Sequence, residues 1–175
     1  MKYFTPQMWI GFNSPRSKAA LASWDIRLKA YRQNLQKILP GLNPQARRFF
    51  QDALILHDGT LTCMEVGDRI ESVDRRARRD LVNRRATVVR LFVLSDVVDQ
   101  HCYVLEYKNL KRIELNFPGK IVLFPIGKYS NFGDWGYDEL TSPEKGVFRH
   151  EILFSSGANI AIDCREIAVR RKRAK

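Results

Sequence analysis

The first part of the chain carries apolar residues at helical spacing. From Leu21 to Ile38 they recur every three or four positions, and polar residues fill the positions between them. Ser14 and Pro15 have the chemistry of an N-cap and a first helical residue. We therefore expect an extended or loosely ordered lead over residues 1–13 and then a long amphipathic helix. Its apolar stripe either packs on a sheet of the same chain or forms a seam between two copies.

A second, shorter helix is predicted directly after the first. Pro40-Gly41 ends the long helix, and Asn43-Pro44 repeats the capping pattern before another apolar face. Asp58-Gly59 has the composition of a terminating turn. Residues 1–58 are thus expected to form a helical hairpin.

After Gly59 the apolar period falls to about two, which is typical of strands. The pattern predicts a single α+β domain over residues 1–175, with the hairpin packed on a mainly antiparallel curved sheet or partly open barrel. Residues 59–170 form its β-rich half and residues 171–175 a basic tail, while residues 69–85 fit either a short helix or a loop. The predicted strands are Thr60–Val66, Ala86–Leu94, Cys102–Lys108, Arg112–Phe117, Lys120–Pro125, Trp135–Thr141, Val147–Phe154 and Asn159–Val169.

The net charge of +11 is unevenly distributed. The excess lies on the helical start, on one Arg-rich segment and at the end of the chain. Such asymmetry indicates either a polyanion-binding surface or a solvated surface that keeps the protein soluble. Bases would not stack in the Arg-rich segment, because it contains no aromatic residue. The candidate polyanion-binding residues are Arg75, Arg76, Arg78, Arg79, Arg84, Arg85, Arg170, Arg171, Lys172 and Arg173.

Catalytic, metal and cofactor sites have no local signature in the sequence. His57-Asp58 resembles the adjacent pair of metal-dependent phosphohydrolases, yet it stands where a helix should end, which favours a structural role. His101-Cys102 would point to opposite faces of a strand. Phosphate-binding glycine motifs and the nucleophile elbow are absent from the sequence. We therefore expect no catalytic residues, no metal and no cofactor.

Location is inferred from the cysteines and from apolar runs. The three cysteines are scattered, which suits a reducing compartment better than a disulfide framework. No apolar run is long enough for a membrane span, and the first residues lack a signal-peptide core. These features predict a cytoplasmic protein without membrane contact.

The segment from Lys128 to Glu139 is the best candidate for a binding site. It combines aromatic rings, acidic groups and glycines, a composition suited to recognition. The alternative is that these rings plug one end of the core. The candidate partner-binding residues are Tyr129, Phe132, Asp134, Trp135, Tyr137, Asp138 and Glu139.

Several short motifs together suggest a family. They are Met1-Lys-Tyr-Phe-Thr-Pro6, Trp24 in the long helix, Leu56-His-Asp-Gly59, Tyr137-Asp138-Glu139 and Ile152-Leu-Phe-Ser-Ser-Gly157. In these the chain resembles a family of uncharacterised bacterial proteins with a helical pair and a β-rich half. The resemblance implies the α+β outline and a bacterial cytoplasm, and it implies no reaction.

The sequence therefore favours a non-enzymatic binding module. We expect its partner to be another protein, in the manner of bacterial immunity or adaptor proteins. The alternative is a nucleic-acid-associated protein that binds non-specifically through its basic surface. An enzyme ranks third, and would require a cleft that brings together His57, Asp58 and either His101 or His150.

Overall fold

The computed structural model describes residues 1–13, 18–52, 55–70, 85–95, 101–117 and 132–173. Three helices come first, followed by eight strands in antiparallel sheets, so the predicted α+β class is confirmed. The helices are α1 (Pro6–Asn13), α2 (Lys18–Ile38) and α3 (Pro44–Gln51), with a 3-10 turn at Leu39–Gly41. The strands are β1 (Thr60–Ile70), β2 (Arg85–Ser95), β3 (His101–Lys108), β4 (Arg112–Asn116), β5 (Trp135–Thr141), β6 (Phe148–Phe154), β7 (Asn159–Cys164) and β8 (Glu166–Arg173).

Three local predictions were wrong. The short helix or loop expected over residues 69–85 begins and ends in strands, because Arg69 and Ile70 belong to β1 and Arg85 to β2, and residues 71–84 lie outside the described residues. The expected extended lead contains α1, whose start has the same cap chemistry as Ser14-Pro15: Pro6 is its first residue, and Thr5 Oγ1 accepts the N–H of Met8 at 3.3 Å. The single strand expected over Asn159–Val169 is interrupted at Arg165. The predicted strand Lys120–Pro125 lies outside the described residues.

The strands form two four-stranded antiparallel sheets. The first has the order β1-β2-β3-β8 and the second the order β4-β7-β6-β5. One isolated bridge, Thr60 with Asp134, joins the starts of β1 and β5. The described strands do not close into a barrel, and they form two sheets where the sequence predicted one.

A bent two-stranded ribbon connects the sheets. One side of the ribbon is β3 followed by β4, and the other is β7 followed by β8. At the bend, the N–H of Lys111 donates to Asp163 O at 2.8 Å and the N–H of Arg165 donates to Lys108 O at 3.2 Å. Asn109 turns the chain there with φ 53°, a conformation that asparagine tolerates better than most residues.

The helices cover part of the core that the two sheets share. Helix α2 packs on β5 and α3 packs on β8. Asn43 connects two elements, because it caps α3 by accepting the N–H of Ala46 at 2.9 Å and donates to Ile167 O on β8 at 2.6 Å. Among the described helices, none is both long and apolar enough to cross a lipid bilayer.

A buried carboxylate ties the N-terminal segment to the second sheet. Glu139 on β5 is fully buried and accepts the backbone N–H groups of Lys2, Tyr3 and Phe4, the last two at 2.7 and 3.1 Å. Burial raises the pKa of Glu139, and the three amide hydrogen bonds oppose that shift. Phe4 is thereby held beside β5, where it contributes to the candidate site.

Candidate binding pocket

A cavity of about 320 Å³ opens between α2, α3 and β5. Its lining is mostly aromatic and aliphatic, with a few polar side chains, and we call it the aromatic pocket. A pocket of this kind is the usual form of a ligand site. Its lining residues are Phe4, Trp24, Leu28, Tyr31, Arg32, Phe49, Phe50, Asp52, Ile55, Leu56, His57, Tyr137 and Asp138.

One wall of the aromatic pocket is a cluster of rings. The ring centroids of Phe4, Trp24 and Tyr137 lie 4.8 to 5.6 Å apart, so the three side chains touch. Trp9 packs edge-on against Tyr137 at 5.0 Å, and its indole lies where a side chain on Gly136 would be. A glycine is required at that position, because an added Cβ would stand 1.8 Å from the Trp9 ring.

A chain of hydrogen bonds reaches the pocket from the core. Tyr107 on β3 and His150 on β6 are both fully buried, and the Tyr107 hydroxyl lies 2.6 Å from His150 Nδ1. His150 Nε2 lies 3.0 Å from Asp138 Oδ2. The Trp135 Nε1–H donates to the other carboxylate oxygen, Oδ1, also at 3.0 Å. Asp138 is therefore fixed by two contacts from inside the protein.

One assignment of the hydrogens gives each group in this chain a hydrogen-bond partner. Burial raises the pKa of Tyr107 well above its ordinary value, so its hydroxyl stays protonated and can donate to His150 Nδ1. A neutral imidazole that accepts at Nδ1 carries its hydrogen on Nε2 and donates from there. His150 then donates to Asp138, and the carboxylate at the end of the chain receives two donors.

Asp138 still has acceptor capacity toward the cavity. A carboxylate offers about four lone-pair positions, and the donors from Trp135 and His150 occupy two of them. Its side chain is 20% exposed and lines the aromatic pocket. The aromatic pocket therefore contains an oriented acceptor among mostly aromatic and aliphatic side chains.

Two further polar groups line the cavity. The His57 ring packs edge-on against Tyr137 at 5.7 Å, and its Nδ1 lies 2.9 Å from Asp58 Oδ2. The Tyr31 hydroxyl accepts the N–H of Leu140 at 3.1 Å. Burial, followed by the charge of Asp138, raises the pKa of Tyr31 above its ordinary range, so this hydroxyl also stays protonated.

The structure divides the predicted partner-binding residues into three groups. Tyr137 and Asp138 line the aromatic pocket. Trp135 and Glu139 are fully buried, which puts their side chains in the core rather than on a surface. Phe132 packs against Phe117 and Phe154, Asp134 forms the bridge to β1, and Tyr129 lies outside the described residues.

The predicted basic residues are only partly described. Arg75, Arg76, Arg78, Arg79 and Arg84 lie outside the described residues. Arg85 begins β2 and Arg173 ends β8. Arg170, Arg171 and Lys172 are exposed on β8, at one edge of the first sheet, so part of the expected tail is a strand.

The enzyme hypothesis required His57 and Asp58 with either His101 or His150 in one cleft, and neither of these last two histidines lines the aromatic pocket. His57 lines the aromatic pocket and His150 lies behind Asp138, but His101 stands on β3 at the register of Ser95 and Arg173. Within the described ranges, no three His, Cys, Asp or Glu side chains are grouped so that they could hold a metal ion.

The sequence contained little sign of this pocket. Its walls come from positions far apart in the chain, such as Phe4, Trp24, Phe50 and Asp138. Sequence reasoning attributed Trp24 and Phe50 to core packing and did not connect Tyr107 with His150. Comparison with protein-family models, with curated protein sequences and with solved structures gives no match to this chain.

Proposed function

We propose that the protein is a non-enzymatic binding module that takes up a side chain of a protein partner in the aromatic pocket. The observation that carries this proposal is the cavity, with its ring-lined walls and one oriented carboxylate. Such a combination gives affinity through apolar contact and specificity through a few polar groups. The resemblance to a bacterial family, and an immunity or adaptor role, belong to the same proposal.

A protein partner is favoured by the surface that continues from the pocket. Leu21 is 51% exposed, and it precedes the pocket residues Trp24 and Leu28 on α2 by three and seven positions. Residues at that spacing share one helix face. The apolar lining therefore extends outward along α2, as expected for contact with a larger partner.

Binding rather than catalysis is favoured by the chemistry of the lining. The described lining residues include carboxylates, an imidazole and two tyrosines, but no serine, cysteine or lysine. A nucleophile paired with a base is the usual mark of covalent catalysis. We therefore assign the polar groups to recognition.

The test uses two exposed positions on the same helix. Leu21→Asp places a charge on the face that leads into the pocket, and Ile26→Asp places the same charge at a site that is 70% exposed and outside the lining. Partners captured by the wild-type protein, identified by quantitative mass spectrometry, should be kept by Ile26→Asp and lost by Leu21→Asp. Equal recovery with both variants would contradict the proposal.

A second candidate is non-specific association with nucleic acid. Arg170, Arg171 and Lys172 stand exposed in succession on an edge strand, which favours phosphate contact. Fluorescence polarisation with generic duplex DNA and single-stranded RNA should then show affinity that falls steeply with salt. The triple glutamine variant of these residues should lose most of it, and unchanged affinity would remove this candidate.

We propose a cytoplasmic location on the evidence of the cysteines. All three are free: Cys63 is exposed, Cys102 half-buried and Cys164 buried. Burial raises the pKa of Cys164 to about 12, so its thiol stays protonated and unreactive at neutral pH. Free thiols suit a reducing compartment.

A further inference from the structure

We propose that the group accepted by the aromatic pocket is an ammonium ion on an apolar stem, as in a lysine side chain or an alkylamine. This inference rests on the proposed function, because it names the chemistry of the ligand in the same pocket. It depends on the position of Asp138 and on the rings above it.

The first step concerns the floor of the aromatic pocket. Asp138 is held by Trp135 and His150, its side chain lines the cavity and is 20% exposed, and two of its roughly four lone-pair positions have no donor among the described residues. An uncharged apolar ligand would remove water from that carboxylate and give no donor in return. Asp138 would keep its contacts with Trp135 and His150 but lose the hydration of its remaining lone pairs, which is costly for a charged group, whereas an ammonium group supplies three donors and the opposite charge.

The second step concerns the walls. Phe4, Trp24 and Tyr137 form one continuous wall of rings, and Phe49 and Phe50 belong to the same lining. Ring faces attract cations electrostatically within about 6 Å, and they also bury an alkyl stem well. The walls therefore suit both parts of such a ligand.

The third step concerns the charge of the whole lining. Asp52 and Asp138 are acidic, and Arg32 is the only arginine or lysine among the described lining residues. Arg32 and Asp52 are exposed and screened by solvent, while Asp138 is largely buried. The dominant charge at the floor is thus negative, although the whole chain carries +11. A carboxylate ligand would meet repulsion there.

The experiment compares three ligands with one six-carbon body: hexylammonium, hexanol and hexanoate. Two-dimensional NMR follows the indole N–H of Trp24, in the pocket wall, and of Trp135, which donates to Asp138. Hexylammonium should bind at least about tenfold more tightly than hexanol, and hexanoate more weakly than both. It should shift the Trp135 indole resonance as well as that of Trp24.

Other outcomes separate this inference from the proposed function. If hexanol binds as tightly as hexylammonium, or hexanoate binds more tightly, the preference for an ammonium group is overturned. The proposed function would still stand, because the pocket would bind an apolar group. If no ligand shifts the Trp24 resonance, the inference of an ammonium ligand is also overturned. The proposed function would then be tested by the comparison of Leu21→Asp with Ile26→Asp alone.

A pair of variants tests the assigned carboxylate. Asp138→Asn should abolish the preference for hexylammonium over hexanol, whereas Asp52→Asn, at the exposed lining position, should keep most of it. The reverse pattern would overturn the role of Asp138. If Asp138→Asn does not fold, the ligand series on the wild-type protein decides alone.

A fourth ligand, lysine capped at both ends, distinguishes a lysine side chain of a protein partner from a free amine. Binding of capped lysine at least as tight as that of hexylammonium supports a lysine of the partner. Tight hexylammonium without capped lysine would overturn the protein source and identify a free amine as the ligand.

Discussion

Two sets of polar side chains, the ion pairs across the first sheet and the chain that ends at Asp138 on the second, differ in their exposure to water. On the first sheet, Arg90 donates to Glu106 at 2.6 Å and lies 3.3 Å from Glu65, and Lys108 donates to Glu166 at 2.6 Å. Most of these groups remain in contact with water. The groups that lead to Asp138, which are Tyr107 on the first sheet and His150 on the second, are fully buried.

The comparison shows that the contribution of an ion pair or hydrogen bond to the free energy of unfolding depends on its exposure to water. Exposed pairs neutralise each other and contribute about 0–1 kcal/mol each to the free energy of unfolding. A buried polar group that loses its partner costs about 1–3 kcal/mol. The exposed pairs of the first sheet are therefore expected to contribute little to stability, and the buried chain that ends at Asp138 is expected to contribute more.

The largest expected effect comes from a glycine of the second sheet, and a glycine of the first sheet is its control. Gly136→Ala should lower the free energy of unfolding by about 3 kcal/mol, because its Cβ would collide with Trp9. Gly67→Ala on β1 is the matched control, since no atom lies within 4 Å of an added Cβ, and it should change stability by about 1 kcal/mol or less. Urea-unfolding curves measure both, and equal losses would contradict the packing described here.

The next effect concerns the buried hydrogen bond of Tyr107. Tyr107→Phe leaves His150 Nδ1 without its donor and should cost about 1–3 kcal/mol of unfolding free energy. Tyr103→Phe is the control, on the same strand and also buried, with its hydroxyl bonded to none of the described residues. A loss no larger than that of the control, measured by urea unfolding, would show that the bond carries no stability.

A smaller effect is expected in the pH dependence of stability. Burial raises the pKa of Glu139, so the folded chain keeps this proton to a higher pH than the unfolded chain. The contribution of protonated Glu139 to the free energy of unfolding is complete below about pH 4.3, the pKa of glutamate in an unfolded chain. It is lost as the pH rises through the pKa of Glu139 in the folded protein.

The corresponding measurement compares variants across pH. Relative to Glu139→Gln, the wild-type protein should lose unfolding free energy as pH rises through that window. The exposed Glu144→Gln should instead run parallel to the wild type. A wild-type curve that also runs parallel to that of Glu139→Gln would refute the assignment.

The smallest effect is expected on the first sheet. Glu65→Gln breaks the outer pair with Arg90, whose two side chains are 34% and 50% exposed, and should cost less than about 1 kcal/mol. Most of that loss should disappear in high salt, because the charges are screened. A larger loss that persists in high salt would show that this exposed pair contributes as much to stability as the buried hydrogen bonds, contrary to the comparison drawn above.

The sequence predicted the elements whose signals are local. Alternating residues between turn-forming segments identified β5 and β6, and capping residues identified the start of α3. Helix α1 was missed although Thr5-Pro6 carries the same cap chemistry, because eight residues give too short a stripe to recognise.

The candidate site was less predictable because its contacts join distant parts of the chain. His150 finds Asp138 twelve positions away and Tyr107 forty-three positions away. The sequence placed Glu139 among the partner-binding residues, yet it is fully buried and bonded to the N-terminal amides. Neither arrangement leaves a trace in local periodicity.

The bent ribbon has a consequence for the kinetics of folding. Its strands pair residues as far apart in the sequence as His101 and Arg173. The pairing of β4 with β7 closes a loop of the chain that contains both β5 and β6. Closing such long loops costs entropy before native contacts repay it, which places folding in the slow range of milliseconds to seconds. Once formed, the ribbon belongs to both sheets, so we expect them to unfold together in a single transition.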